Sequence, residues 1–341
     1  MRLRLLTGDD PLQTRRLAWT LAETEPQWRW ADLSAEGWLG GSIKFEPLRE
    51  LDQRWATLEP LLRPWLELLQ LGNLSPEHWP LLPGVDNLLR GLFLLDLLQE
   101  HPNDDWALLL PPPAASLTLL NGIGAIPLLL QRLYDPLLQR LSNLRSSLSS
   151  LEALLNLQLP DASGLALPAK LRQRLLQLVE LVSDPQRCEL LLALPASQAS
   201  SGQLADRLCG FHLNGLQLSR LWLEGPASEA ELQSLRELLG PTQLLHTSHA
   251  EAFPHLAPAW LALPWRGEQG LSEQLNDNGE ALLSLLLPGL RKEQLQVQQL
   301  GTQLLLRVGN QRRLLALPPH CAARTASGAK LAGRRLEVRF R

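Results

Sequence analysis

Cysteine is scarce in this 341-residue chain: there are three, Cys188, Cys209 and Cys321, far apart and with no C-x-x-C spacing. That pattern suggests neither a disulfide framework nor a zinc site, and it fits a reducing, cytoplasmic compartment. An excess of charge of one sign is also missing. Lys+Arg 32 against Asp+Glu 35 leaves a net charge of −3, so no global basic field recruits nucleic acid or acidic lipid. Long uninterrupted apolar runs are missing as well. LLRGLFLLDLL contains Arg90 and Asp96, and LTLLNGIGAIPLLL contains Asn121, two glycines and Pro127. Neither is a clean run of about 20 residues, so no transmembrane segment is expected. The run Leu3 to Leu6 is broken by Arg4 and stops at Gly8, so no signal-peptide core is expected either.

What is present is 45% hydrophobic residues, enough for one large core and a smaller second one. The opening MRLRLLTGDDPLQTRRLAWTLAE reads as a strand at Leu3 to Leu6, a turn at Thr7-Gly8, and a helix from about Pro11 to Thr24. Leu12, Leu17, Trp19 and Leu21 are taken as the apolar positions of that helix. A second short strand, WRWADL, starts a βαβ unit. DWALLLPPP and CELLLALPAS read as strands buried on both faces, with LQLSRLWLEG a further one and TQLLHTS and PAWLALPW weaker ones. Residues 47 to 72 and the stretch from Pro83 read as helices, and residues 128 to 182 as two or three helices around the loop PDASG. Near residue 280 the pattern turns to short strands alone. In the last of them Leu336, Val338 and Phe340 share one face, with Arg335, Glu337 and Arg339 on the other.

Taken in order, these pieces resemble the ArsA-type ATPases, the arsenite-pump and tail-anchored-protein-targeting ATPases. The likeness is to the subgroup of photosynthetic lineages that carries a C-terminal small-heat-shock-protein-like (α-crystallin) domain. LLTGDDPLQTRRLAWTLA resembles the family's strand, glycine loop and helix, TGKGGVGKTTxAAALA. LLPGVDNLLRGLFLLDLL, CELLLALPAS and ALPWRGEQGLSEQL resemble later family segments. The stretch from LLSLLLPGL to RRLEVRF resembles the crystallin-like domain, with Ala329, Leu331 and Leu336 at its A-x-L-x(4)-L spacing. The resemblance implies an α/β fold: a P-loop NTPase-like, mostly parallel sheet flanked by helices, over residues 1–278 with a helical subdomain at about 128–185. A small all-β crystallin-like sandwich follows at 279–341.

Position by position, the family's loop chemistry is not matched. Gly8 stands as the first glycine. Asp9 replaces the signature lysine, Asp10 and Pro11 the next glycines, Gln13 the last glycine, Thr14 the catalytic lysine and Arg15 the Mg²⁺-holding hydroxyl. Two carboxylates would face a triphosphate, and Asp9 or Asp10 is itself a good N-cap for the helix. The second motif has become PPPAASLTLLNGI, with Leu119 and Leu120 as its apolar remnant, and Ala196 stands where the family has Glu. Asp32 matches an aspartate near the family's second strand or is a solvated loop acid. The cysteines do not match the family's arsenite site, and the C-x-x-C zinc pair and the methionine groove have no counterpart.

No catalytic and no metal-binding residue is therefore assigned, and no cofactor is expected. The vestigial loop consists of Gly8, Asp9, Asp10, Thr14, Arg15 and Arg16, and Arg15 with Arg16 at the helix start could still take a small anion. His246, His249, Glu251 and His255 form a conceivable metal patch or a polar loop leading to Pro254. SNLRSSLSSLE carries no G-x-S-x-G elbow. Trp19, Trp28, Trp30, Trp38, Trp55 and Trp65 crowd the first fifth of the chain, as core or as a partner-facing surface. The leading expectation is a non-catalytic pseudo-ATPase acting by protein contact, as a homodimer or with an active paralogue, and on a protein client. The alternatives are a residual ATP- and Mg²⁺-dependent ATPase, and a binding module for an apolar client or ligand. Because the chain ends at Arg341, large small-heat-shock-type shells are not expected.

Overall fold

The computed structural model describes residues 1–34, 41–68, 85–140, 142–143, 167–199, 201–264, 267–275, 279–309 and 311–341. They fall into two compact units. The first is Met1–Lys44, Asn103–Leu117 and Leu181–Arg341; the second is Phe45–Pro102 and Thr118–Glu180. The helices are α1 (Pro11–Thr24), α2 (Pro47–Leu68), α3 (Val85–Glu100), α4 (Pro113–Leu129), α5 (Ala169–Ser183), α6 (Ser201–Leu213), α7 (Glu229–Leu239), α8 (Phe253–Leu261) and α9 (Pro319–Ala322).

The first unit is built on a seven-stranded sheet of β1 (Leu3–Gly8), β2 (Arg29–Asp32), β3 (Ile43–Lys44), β4 (Trp106–Leu109), β5 (Cys188–Pro195), β6 (Leu218–Glu224) and β7 (Gln243–Thr247). Its order is β3-β2-β4-β1-β5-β6-β7, and every pairing is parallel. Central β1 and β4 are buried throughout, which is why their sequences are near-continuous apolar runs rather than alternating ones. The chain leaves β1 for β2 on one side and later returns to β5 on the other. The turn after Gly8 therefore sits at the carboxyl ends of the strands, at the point where the winding reverses, where open α/β sheets bind ligands.

Two expectations for this unit need correction. The buried face of α1 is Gln13, Thr14, Leu17, Ala18, Thr20 and Leu21, while Leu12 and Trp19 are 62% and 49% exposed. The described part of PAWLALPW, residues 258–264, is not a strand. Its first four residues close α8, whose Phe253, Ala257 and Trp260 recur at i, i+4, i+7 and bury one helical face. There Phe253 stacks on Trp222 with ring centroids 3.6 Å apart.

The same unit holds the C-terminal strands: β8 (Leu271–Leu275), β9 (Ala281–Leu286), β10 (Leu295–Leu300), β11 (Gln303–Val308), β12 (Gln311–Ala316), β13 (Ala326–Ala332) and β14 (Arg335–Phe340). They make an antiparallel sheet β10-β11-β12 and a second one, β13-β14-β9-β8. The antiparallel pairing thus already begins at Leu271. Leu336, Val338 and Phe340 are fully buried, facing Leu304 and Leu306 of the other sheet in one cluster that also takes in Cys209 and Leu213 of α6. Each such side chain contributes about 1.5–3 kcal/mol by leaving water, so the strand alternation in this tail has a large energetic consequence.

The second unit is helical. Arg54 on α2 reaches Asp96 on α3 at 2.7 Å, and the rings of Phe45 and Phe93 meet edge-on at 5.6 Å. Arg172 of α5 holds Asp135 by two parallel bonds of 2.7 Å. Helix α4 carries an interior proline, Pro127, and runs on through a π-helical turn at Leu130–Tyr134. The whole stretch Pro113–Arg140 has 28 residues and a mean hydropathy of 1.6 in its most apolar window. By length and composition alone it meets the requirement for a membrane span, since the helix continues through Asn121 and Pro127. Leu119, Leu120, Ile123 and Leu130 are buried within the protein, as in a core helix. The PDASG loop lies outside the described residues.

Candidate functional site

The turn after β1 is filled by its own side chains. Asp10 is the N-cap of α1, its carboxylate accepting from the Leu12 N–H at 2.8 Å, and Pro11 opens the helix, where a missing N–H costs nothing. Thr14, 1% exposed, donates from Oγ1 to the Asp10 carbonyl at 2.8 Å. Gln13, equally buried, donates from Nε2 to the Leu194 carbonyl at 3.1 Å and approaches that of Trp222 at 3.5 Å. Its amide thus bridges α1 to the carboxyl ends of β5 and β6. A Cβ placed on Gly8 would lie 2.3 Å from Thr14 Oγ1 and 2.5 Å from the Ala193 carbonyl oxygen. The glycine that resembles a phosphate-loop glycine is thus required by strand–helix packing alone.

The charges around this turn are engaged with one another. Asp9 pairs with Arg207 of α6, and Arg16 pairs with Glu224 at the end of β6, 3.1 Å away. The Arg15 guanidinium lies over the Trp19 ring at 4.9 Å. The expected candidates Gly8, Asp9, Asp10, Thr14, Arg15 and Arg16 are therefore brought together, as a capped and cross-linked helix start. Thr7 and Ser116 both donate to the Pro111 carbonyl, at 2.7 and 2.6 Å, and so tie β1 to the segment that resembles the second motif. Asp32 is 1% exposed and accepts from the Ser34 N–H at 2.9 Å and hydroxyl at 2.5 Å. It is a buried turn-forming acid rather than a solvated one.

A cavity of about 350 Å³ opens at the carboxyl ends of β5 and β6, lined among others by Ser197, Leu223, Glu231 and Ser234. Among its described lining residues there is no lysine or arginine. Its one carboxylate, Glu231, is used in a capping box: it accepts from the Ser228 N–H and hydroxyl, both at 2.7 Å. These bonds hold it below the usual carboxylate range.

The histidine patch is split between elements. His246 lies on β7 and its Nε2 meets the Gly225 carbonyl at 2.7 Å, His249 precedes a 3-10 turn, and His255 lies on α8. Among the described residues no group of three metal-capable side chains forms. SNLRSSLSSLE beyond Asn143, and Trp38, lie outside the described residues. Trp28 and Trp55 are buried while Trp19 is exposed, so the early tryptophans divide between core and surface.

The sequence reading missed a buried charge network at the opposite, amino-terminal ends of the strands. Arg4 on β1 and Glu189 on β5 are register partners and form an ion pair, with Arg4 also reaching Glu25. Arg220 on β6 donates to Glu189 at 2.6 Å and to the carbonyls of Leu261 and Leu263 at 3.1 and 2.7 Å. Burial pulls the Arg220 guanidinium below its ordinary range, and Glu189 opposes that shift. Removing one member of such a network costs on the order of 3–5 kcal/mol, because the other charges stay buried. The charges Arg4, Glu189 and Arg220 inside the apolar strands MRLRLL, CELLLAL and LSRLWLE were the available signal.

Comparison with known proteins bears on the C-terminal sheets first. Residues 278–340 match the family model of the HSP20-like domain found in ArsA. The resemblance to ArsA-type proteins with a C-terminal HSP20-like domain is supported there. Over a longer span the chain is similar to "Uncharacterized protein SCO2128" of Streptomyces coelicolor (strain ATCC BAA-471 / A3(2) / M145), 26% identical over 299 residues, 81% of this chain and 75% of the relative. The large parallel sheet flanked by helices and the antiparallel C-terminal sheets give the chain an α/β architecture with an HSP20-like end.

Proposed function

We propose that this chain is a non-catalytic ArsA-like protein, a pseudo-ATPase that works through protein–protein contact, as a homodimer or beside an active paralogue. The observation that carries the reading is the occupied turn: the Asp10 carboxylate takes the helix N–H that a phosphate would take, and the Gln13 amide is spent on the Leu194 carbonyl. Helix-dipole attraction for an anion, about 0.3–1 kcal/mol, does not offset bringing a triphosphate against Asp9 and Asp10. Titration calorimetry with ATP or ADP and Mg²⁺ tests it. No heat of binding is expected up to millimolar nucleotide, and micromolar affinity overturns the reading in favour of a residual ATPase. Co-purification with an intact-loop paralogue tests the partner.

A second reading, a holder of apolar clients, has its own support. Leu129, Leu133 and Leu137 follow one another at i, i+4, i+8 and are 48%, 61% and 51% exposed, a stripe along one helix face. Suppression of aggregation of a denatured client by the purified protein, lost in a triple serine variant, is its test.

A further inference from the structure

The network at the amino-terminal ends of β1, β5 and β6 borders a cavity of about 210 Å³ lined by Arg2, Arg4, Arg187 and Arg220 together with Glu25, Glu189, Trp28 and the Leu261–Pro264 turn. The volume is far above the roughly 10–15 Å³ that one water needs and below the roughly 300 Å³ at which drug-sized pockets begin. It suits a small molecule. Four guanidinium groups face two carboxylates across it. Of the four, Arg2 is neutralised outside the cavity by Asp105, bonding it at 2.6 Å. Arg187 meets no carboxylate at ion-pair distance among the described residues, and its Nε contacts only the Met1 carbonyl, at 3.4 Å.

Deeper in, Arg4 is 6% exposed. Its Nε and Nη1 go to Glu189 and Glu25, which leaves Nη2 with no hydrogen-bond partner among the described residues. Arg220, 2% exposed, likewise has an Nε without a partner among them. A fully buried donor left unmade, as Arg220 Nε is, is costly, and the planar guanidinium fork matches an oxyanion. The Trp28 ring holds both Arg2 and Arg4 in place, with their guanidinium carbons 5.1 and 4.2 Å from its centroid.

We infer that this cavity binds a small oxyanion, a di- or monocarboxylate or a phosphate, seated on Arg4 and clasped at the rim by Arg187 and Arg2. The site lies at the end of the sheet away from the turn after Gly8, so its fate is independent of the pseudo-ATPase reading.

Isothermal titration and thermal shift of the full chain with malonate and with inorganic phosphate, against chloride at matched ionic strength, test the inference. Saturable binding of either probe, absent with chloride, is expected, and the tighter probe identifies the ligand as carboxylate or phosphate. Arg4→Gln breaks the buried pairs that support the fold, so the decisive variants are Arg187→Gln and Arg2→Gln at the exposed rim. Arg187→Gln should weaken binding at least tenfold while leaving the melting temperature without ligand unchanged. No saturation by either probe up to about 10 mM, beyond the millimolar affinity that corresponds to roughly −4 kcal/mol, overturns the inference. So does saturation that both rim variants leave unaltered.

Discussion

Gly8 and Thr14 are in contact so close that a single added carbon would have no room: a Cβ on Gly8 would stand 2.3 Å from Thr14 Oγ1. The Ala193 carbonyl, 2.5 Å away, closes the other side and belongs to the backbone of a strand buried at every residue but its last, so it has little freedom to withdraw. Gly8→Ala is expected to destabilise the protein by about 3 kcal/mol, the upper end of the usual overpacking cost, read from the midpoint of urea unfolding. Adding Thr14→Ala removes one of the two clashes and should restore only part of the loss. Full restoration would mean that the Ala193 carbonyl yields, and no loss in the single variant would mean that the glycine is not there for packing.

The two aspartates after Gly8 have different jobs, and substitution separates them. Asp10 caps α1, so Asp10→Ala should cost about 1 kcal/mol and Asp10→Asn almost nothing, since the amide oxygen can accept the same N–H. Asp9→Ala removes a partly solvated pair with Arg207 and should cost less than 1 kcal/mol. All three values should be the same with and without Mg²⁺. A Mg²⁺-dependent difference would show that a carboxylate of the turn holds the ion.

The strand faces of the C-terminal tail were legible because alternation alone decides them: Leu336, Val338 and Phe340 are buried. The start of α1 was legible from Asp-Pro chemistry. Gln13 and Thr14 were not, since polar residues at a helix start ordinarily face water, and only the Leu194 and Asp10 carbonyls explain their burial. Arg4, Glu189 and Arg220 were visible as charges in apolar strands, but their meeting depends on the register that pairs β1 with β5. In α8, two prolines and a short span disguised a helical period as a strand.

Thiol chemistry gives a test of core integrity. All three cysteines are free and buried. Burial pushes the Cys209 and Cys321 thiols up to about 12, with Asp206 and Glu273 adding to the effect, and raises Cys188 as well. The reactive thiolate is therefore withheld at neutral pH. Native protein at pH 8 should react with a chromogenic disulfide far more slowly than a free thiol, and three equivalents should react at once in denaturant. A thiol that reacts rapidly in the native state would show that its stretch of core opens.

His212, on α6, supplies a pH signature. Burial, with a smaller push from the Arg334 cation, lowers its imidazole to about 3, against an unfolded value near 6.5. Between those two values the unfolded chain binds a proton that the folded chain refuses. This contribution to stability is therefore complete above pH 6.5 and declines as pH falls, by up to about 1.4 kcal/mol per pH unit for one proton. Urea unfolding between pH 7.5 and 4.5 should show a loss on acidification that is steeper in the wild type than in His212→Asn, which has no proton to take up. Carboxylates held in ion pairs contribute to the slope of both proteins equally, so the difference isolates the imidazole. Parallel slopes would mean that His212 protonates in the folded state as readily as in the unfolded one.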